Sequence, residues 1–203
     1  MRDAGSTLVE ALVSLVLTLV ATTAALSLLN PHHLAAQVQA EALDMHQRLR
    51  VALDVLTRDL SAASQVRSTA DNAISIALPA VGTTTPSETR SFYLDAAGNQ
   101  LRQFDGQSTD VPVADNVVGL TFEYFGDSAV AGGELTPLGR PAGADLGRIR
   151  AIRATVRVQA AQIAFRAAGS AFARPGTARD SRRALADMSV SVRIGARNLG
   201  LPR

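Results

Sequence analysis

A single carboxylate, Glu10, stands at the entrance of an apolar run that continues without charge through residues 11–29. Ionised side chains cost roughly 2.5–3.5 kcal/mol at the centre of a membrane helix on insertion scales, so a carboxylate retained there points to a function. Four-residue steps lead from Glu10 to Ser14, Thr18 and Thr22, which places the carboxylate and three hydroxyls along one helix face. Such hydroxyls either allow a second helix to approach closely in lipid or bond back to the preceding turn, and both readings stand. Immediately upstream, the Gly5–Ser6 step offers a site for processing.

Other chemistry is sparse. Cysteine is absent, which removes disulfides, thiolate metal sites and cysteine nucleophiles together. His32 and His33 are adjacent, so on a helix they point in different directions, and His46 stands alone. No Gly-rich phosphate loop, nucleophile elbow or paired metal-ligand spacing occurs, so no catalysis, metal or cofactor is expected. All basic side chains are arginines, and they crowd the C-terminal third, including Arg153, Arg157, Arg182 and Arg183. These four are candidate contacts for an anion such as DNA phosphate. The alternative is a solvated strand face with a basic loop, and it is favoured because Phe165 and Phe172 are the only nearby aromatics for stacking bases. A net charge of +2 implies no general attraction to nucleic acid, which is not expected as a partner.

The elements that must carry these residues follow from periodicity. Residues 11–29 make about 28 Å of helix at roughly 1.5 Å per residue, close to the hydrocarbon thickness of a bilayer. A cleaved signal peptide would have a shorter apolar region and a more basic start; a plain signal anchor would leave Glu10 without a purpose. Asn30-Pro31 is expected to kink or interrupt the helix. A second, amphipathic helix is expected over about 34–66, with Val38, Met45, Leu49, Ala52, Leu56, Leu60 and Ala63 on its apolar face. Asp44/Arg48 and Asp54/Arg58 are acid-before-base pairs at four-residue spacing on the opposite face.

Beyond that helix the period becomes two. Ile74, Ile76 and Leu78 alternate with small or polar residues, and two short runs around Phe92 and Leu101 flank Asp95-Ala96-Ala97-Gly98-Asn99, which reads as a hairpin turn. Three further alternating sets follow: Val118, Leu120, Phe122 and Tyr124; then Ile152, Ala154, Val156 and Val158; then Met188, Val190, Val192 and Ile194. They read as half-buried antiparallel strands of one sheet over about 73–195, separated by Gly/Pro/Ala-rich loops near 126–147 and 167–183. A long helix packed on an antiparallel sheet is an α+β fold.

Gly5-Ser6-Thr7-Leu8-Val9-Glu10-Ala11-Leu12 resembles the leader and processing site of type IV pilin-like proteins. Leu56-Thr57-Arg58-Asp59-Leu60-Ser61-Ala62-Ala63 and the order of the later segments resemble the PilW and GspJ groups of minor pilins and pseudopilins. The resemblance is specific at residues 5–12 and rests mainly on segment order afterwards. It implies a leader over 1–5, a membrane and assembly helix over 6–30, and a periplasmic α+β domain over 31–203. It also implies cleavage by prepilin peptidase between Gly5 and Ser6, methylation of Ser6, and pairing of Glu10 with the α-amine of a neighbouring subunit. One departure is that most family members carry Phe where this chain has Ser6. The implied role is non-catalytic: a single-pass inner-membrane subunit of a hetero-oligomeric filament tip, in a type IV pilus or a type II secretion pseudopilus. The other reading of the chain is a signal-anchored periplasmic binding domain that contacts an anionic ligand.

Overall fold

A computed structural model of the chain describes residues 8–79, 88–127, 134–166, 185–195 and 199, without the side chains of 28–31 and 34. The chain divides into two units, residues 1–40 and 41–203. One helix, α1 (Leu8–Ala62), contributes to both. The interruption expected at Asn30-Pro31 is absent, since both residues are helical. Pro31 withholds one N–H from the Ser27 carbonyl, whereas ending the helix there would strand four donors and four acceptors. The Ala- and Leu-rich flanks favour continuation.

The helix ends at Ala62, four residues earlier than expected. Ser64 already belongs to strand pairing: its N–H and its hydroxyl donate to the Ala77 carbonyl at 2.8 and 3.0 Å. Val66, read from its spacing as near the helix end, instead lies in β1 (Gln65–Thr69) opposite Ile76. An apolar residue spaced to continue a helical stripe equally suits the inward position of a strand, and the hairpin partner decides.

Every pairing between the described strands is antiparallel, but these strands form two sheets where one was expected. The first is a meander of β1, β2 (Ala73–Ala77), β3 (Thr89–Asp95), β4 (Gln100–Phe104) and β5 (Asp110–Asp115), in that order. The second joins β6 (Val117–Gly126), β7 (Thr136–Pro137), β8 (Ile149–Val158) and β9 (Met188–Gly195), ordered β7-β6-β8-β9. Asn116 alone separates β5 from β6 and takes a left-handed φ of 57°. Asparagine tolerates that conformation better than most residues, and here it turns the chain from one sheet to the other. Its side-chain oxygen accepts a 3.2 Å hydrogen bond from Arg166 Nη2.

The hairpin expected at 95–99 is present, with Asp95 opposite Gln100. Asp95 Oδ1 accepts from the Ala97 N–H at 3.0 Å, and a Cβ at position 98 would lie 2.7 Å from Asp95 Oδ2, so a larger residue there would make the Asp95 side chain shift. Strand β5 escaped the periodicity reading because Pro112 sits within it; an outermost strand tolerates a residue that cannot donate to a ladder.

The core of residues 41–203 is built on the helix stripe. Met45, Leu49, Ala52, Leu56 and Leu60 are buried, as are Phe92 and Leu101 from the first sheet and Ile152, Ala154, Val156 and Val158 from the second. On β6 the buried residue is Val117, not Val118, because a bulge between Val117 and Gly119 shifts the alternation. On β9 only Ile194 is buried, and Val190 is 41% exposed. Among the described strands β9 is outermost in its sheet.

Candidate functional site

The N-terminal part of α1 is the candidate site. Leu8–Ser27 is a 20-residue span of mean hydropathy 2.0, long and apolar enough to cross a membrane, and none of it is buried. Leu8, Leu15, Leu17 and Leu19 each present most of their surface. Glu10 lies in the first turn, where the positive end of the helix dipole favours a carboxylate. Gly5 and Ser6 lie outside the described residues.

Ser14, Thr18 and Thr22 are exposed and follow Glu10 along the helix. Thr18 Oγ1 donates to the Ser14 carbonyl and Thr22 Oγ1 to the Thr18 carbonyl, each at 2.7 Å. Thr23 and Ser27 donate to Leu19 and Ala24 in the same manner. Their donors are thus used inside the helix, which lowers the cost of carrying hydroxyls through lipid. Each oxygen keeps acceptor capacity, and the side chains remain small enough for close helix approach. His33 Nε2 lies 3.2 Å from Gln37 Nε2, and no group of three metal-ligating side chains occurs among the described residues.

The candidate anion contacts divide. Arg182 and Arg183 lie outside the described residues. Arg153 and Arg157 lie on β8, both with carboxylate partners. Arg153 Nη1 donates to Glu123 Oε2 at 2.8 Å, and Arg157 Nε stands 3.9 Å from Asp187 Oδ2.

Sequence reasoning missed two buried carboxylates on α1. Glu41, 7% exposed, accepts a 2.6 Å hydrogen bond from the Ala161 N–H in the segment after β8 and lies 4.0 Å from Arg48 Nη1. Asp59, 3% exposed, accepts from Arg90 Nη1 on β3 at 2.7 Å and from Arg58 Nε at 3.1 Å. Of the two acid–base pairs expected on the helix surface, Asp44–Arg48 forms, whereas Arg58 turns to Asp59 rather than Asp54. The available signal was Asp59 itself, a charge one position from Leu60 on the buried stripe. Its partner lies 31 residues away, beyond any local pattern.

A further polar cluster joins β3, β4 and β5. Tyr93 Oη donates to Asp110 Oδ2 at 2.6 Å, and Arg102 Nε donates to Asp110 Oδ1 at 3.1 Å. The bond with Tyr93 raises the phenol above its ordinary value and lowers the Asp110 carboxyl below its own. Burial pushes the Tyr124 phenol up and keeps it neutral.

Among solved structures the chain is similar to a type IV-like pilin from Thermus thermophilus. Sequence identity is 14%, the match covers 77% of this chain and 97% of that one, and the TM-score is 0.49. No protein-family model and no curated protein sequence matches the chain.

Proposed function

We propose that the chain is a pilin-like structural subunit, a minor pilin or pseudopilin, that joins other pilin-like subunits through its N-terminal helix. The observation that carries this reading is the wholly exposed apolar span Leu8–Ser27 with a carboxylate, Glu10, in the helix's first turn. An apolar surface of that length needs lipid or partner helices around it. The resemblance at residues 5–12 supplies the rest. Residues 1–5 are a leader, prepilin peptidase cuts between Gly5 and Ser6, and Ser6 becomes the methylated N-terminus. Residues 6–30 are the membrane and assembly helix, and residues 31–203 form the periplasmic domain of an inner-membrane protein that moves to a filament tip.

In this mechanism Glu10 meets the α-amine of a neighbouring subunit, an attraction strengthened by the low dielectric of a helix bundle. Ser14, Thr18 and Thr22 form the stripe along which helices approach. The chain has no catalytic role.

Sequencing the mature N-terminus tests the proposal. A start at N-methyl-Ser6 supports it, an intact Met1 favours a signal anchor, and a start within 24–27 favours a cleaved signal.

A further inference from the structure

The outer face of the second sheet carries an arrangement that assembly through the helix does not use. Register places Glu123 on β6, Arg153 on β8 and Arg193 on β9 side by side. Phe125, two residues further along β6, shares their face through strand alternation. Both guanidiniums stand over its ring, with the central carbon of Arg153 5.0 Å and that of Arg193 4.4 Å from the centroid. Both distances fall within cation–π range. Ala151 and Gly195 occupy the register positions beside Phe125, and their small size leaves room for the stack.

Two like charges opposite each other on neighbouring strands repel, and the single carboxylate is committed to one of them. Glu123 accepts from Arg153 Nη1, whereas Arg193 makes no ion pair or hydrogen bond among the described residues. The Arg193 donor fork is exposed, and the ring beneath restricts its plane. On the side of this charged row away from Phe125, Thr121, Thr155 and Ser191 line up in register on the same face and lie away from the stacked guanidiniums' site.

We propose that Arg153 and Arg193, held over Phe125, bind a phosphate or sulfate group. Two guanidinium forks offer more donors than the two oxygens of a carboxylate can use, and they suit a tetrahedral oxyanion. The site is independent of the assembly role of Glu10. It would accept the anion free in solution or borne on a polymer.

The test follows the arginine side-chain N–H signals of the full chain in detergent micelles at low ionic strength, with inorganic phosphate, a thymidine oligomer or polyglutamate added. Saturable shifts of Arg153 and Arg193 with phosphate or the oligomer, while Arg102 stays still, support the site; the tighter of the two identifies the source. Arg193→Gln weakens binding by at least about tenfold, the effect of losing charge-assisted hydrogen bonds. Glu123→Gln tightens it, because the competing carboxylate is gone, an outcome that a merely structural Glu123 would not produce. Binding by neither phosphate nor oligomer, binding by polyglutamate alone, or unchanged affinity in Glu123→Gln overturns the proposal.

Discussion

Asp59 Oδ2 on the helix accepts a 2.7 Å hydrogen bond from Arg90 Nη1 on β3, with the carboxylate group almost wholly removed from solvent. The helix is thereby fixed to the first sheet at one defined position along its length. Removing Arg90 leaves the buried Asp59 carboxylate with only the largely exposed Arg58 as a charged partner, at a cost of up to about 3 kcal/mol. Arg90→Met is therefore expected to lower the thermal midpoint of the full chain clearly. Combining it with Asp59→Leu should restore much of the loss, because no isolated charge then remains. Melting curves of the two single variants and the double variant check this, and simple additivity would contradict it.

The left-handed Asn116 gives a second expectation. A β-branched side chain forced to φ near 57° pays about 1–2 kcal/mol, so Asn116→Val should be clearly destabilised. Asn116→Gly should lose less, since only the hydrogen bond from Arg166 disappears. Thermal melting of the pair gives the order, and a Gly variant below the Val variant would refute the turn's role.

Asp105 closes the β4–β5 connection: its Oδ1 accepts the N–H groups of Gln107, Ser108 and Thr109 at 2.8, 3.0 and 3.0 Å. The backbone bond from Gln107, followed by that from Thr109, holds its carboxyl below the ordinary aspartate value. A depressed folded-state value means that this stabilisation is complete above the unfolded value of about 3.9 and fades as pH falls through the lower folded one. Carboxyl NMR titration should place Asp105 and Asp110 below that reference, and loop amide exchange should quicken at the acid end. An ordinary titration for Asp105 would remove this loop as a source of acid sensitivity.

Glu10 is expected to separate insertion from assembly. Glu10→Ala should still enter the membrane and be cut after Gly5, yet be recovered poorly with filament subunits. Fractionation followed by mature N-terminal sequencing and co-purification measures the two steps separately. Normal incorporation would sink the proposed pairing with a neighbour's amine.

What could be read in advance follows the range of the interaction. The stripe from Met45 to Leu60 was visible because burial recurs at helical period, and the buried face of β8 because it alternates strictly. The hairpin turn at 95–99 was visible because its residues are those that such turns require. Pro31 does not break the helix, since one missing donor is a smaller loss than two new helix ends. Val117 displaced Val118 through a bulge set by the partner strand, and β5 was hidden by Pro112. The anchoring of Asp59 by Arg90 and of the Ala161 N–H by Glu41 depends on elements distant in sequence, for which local spacing holds no information. The four-residue steps from Glu10 to Thr22 fixed only their common place on the helix, whereas the Phe125–Arg193 stack required the register of three strands.

The single-residue passage at Asn116 also divides the order in which the chain can organise itself. Each strand of the first sheet pairs with its neighbour in sequence, so that sheet needs only short loop closures and can grow hairpin by hairpin. The second sheet must wait: β8 finds β6 across a longer connection, and β9 arrives last from residues 188–195. A chain emerging from a ribosome or a translocon would therefore hold a finished meander before its C-terminal strand appears. The outer edge of β8 would stay open until that final segment docks.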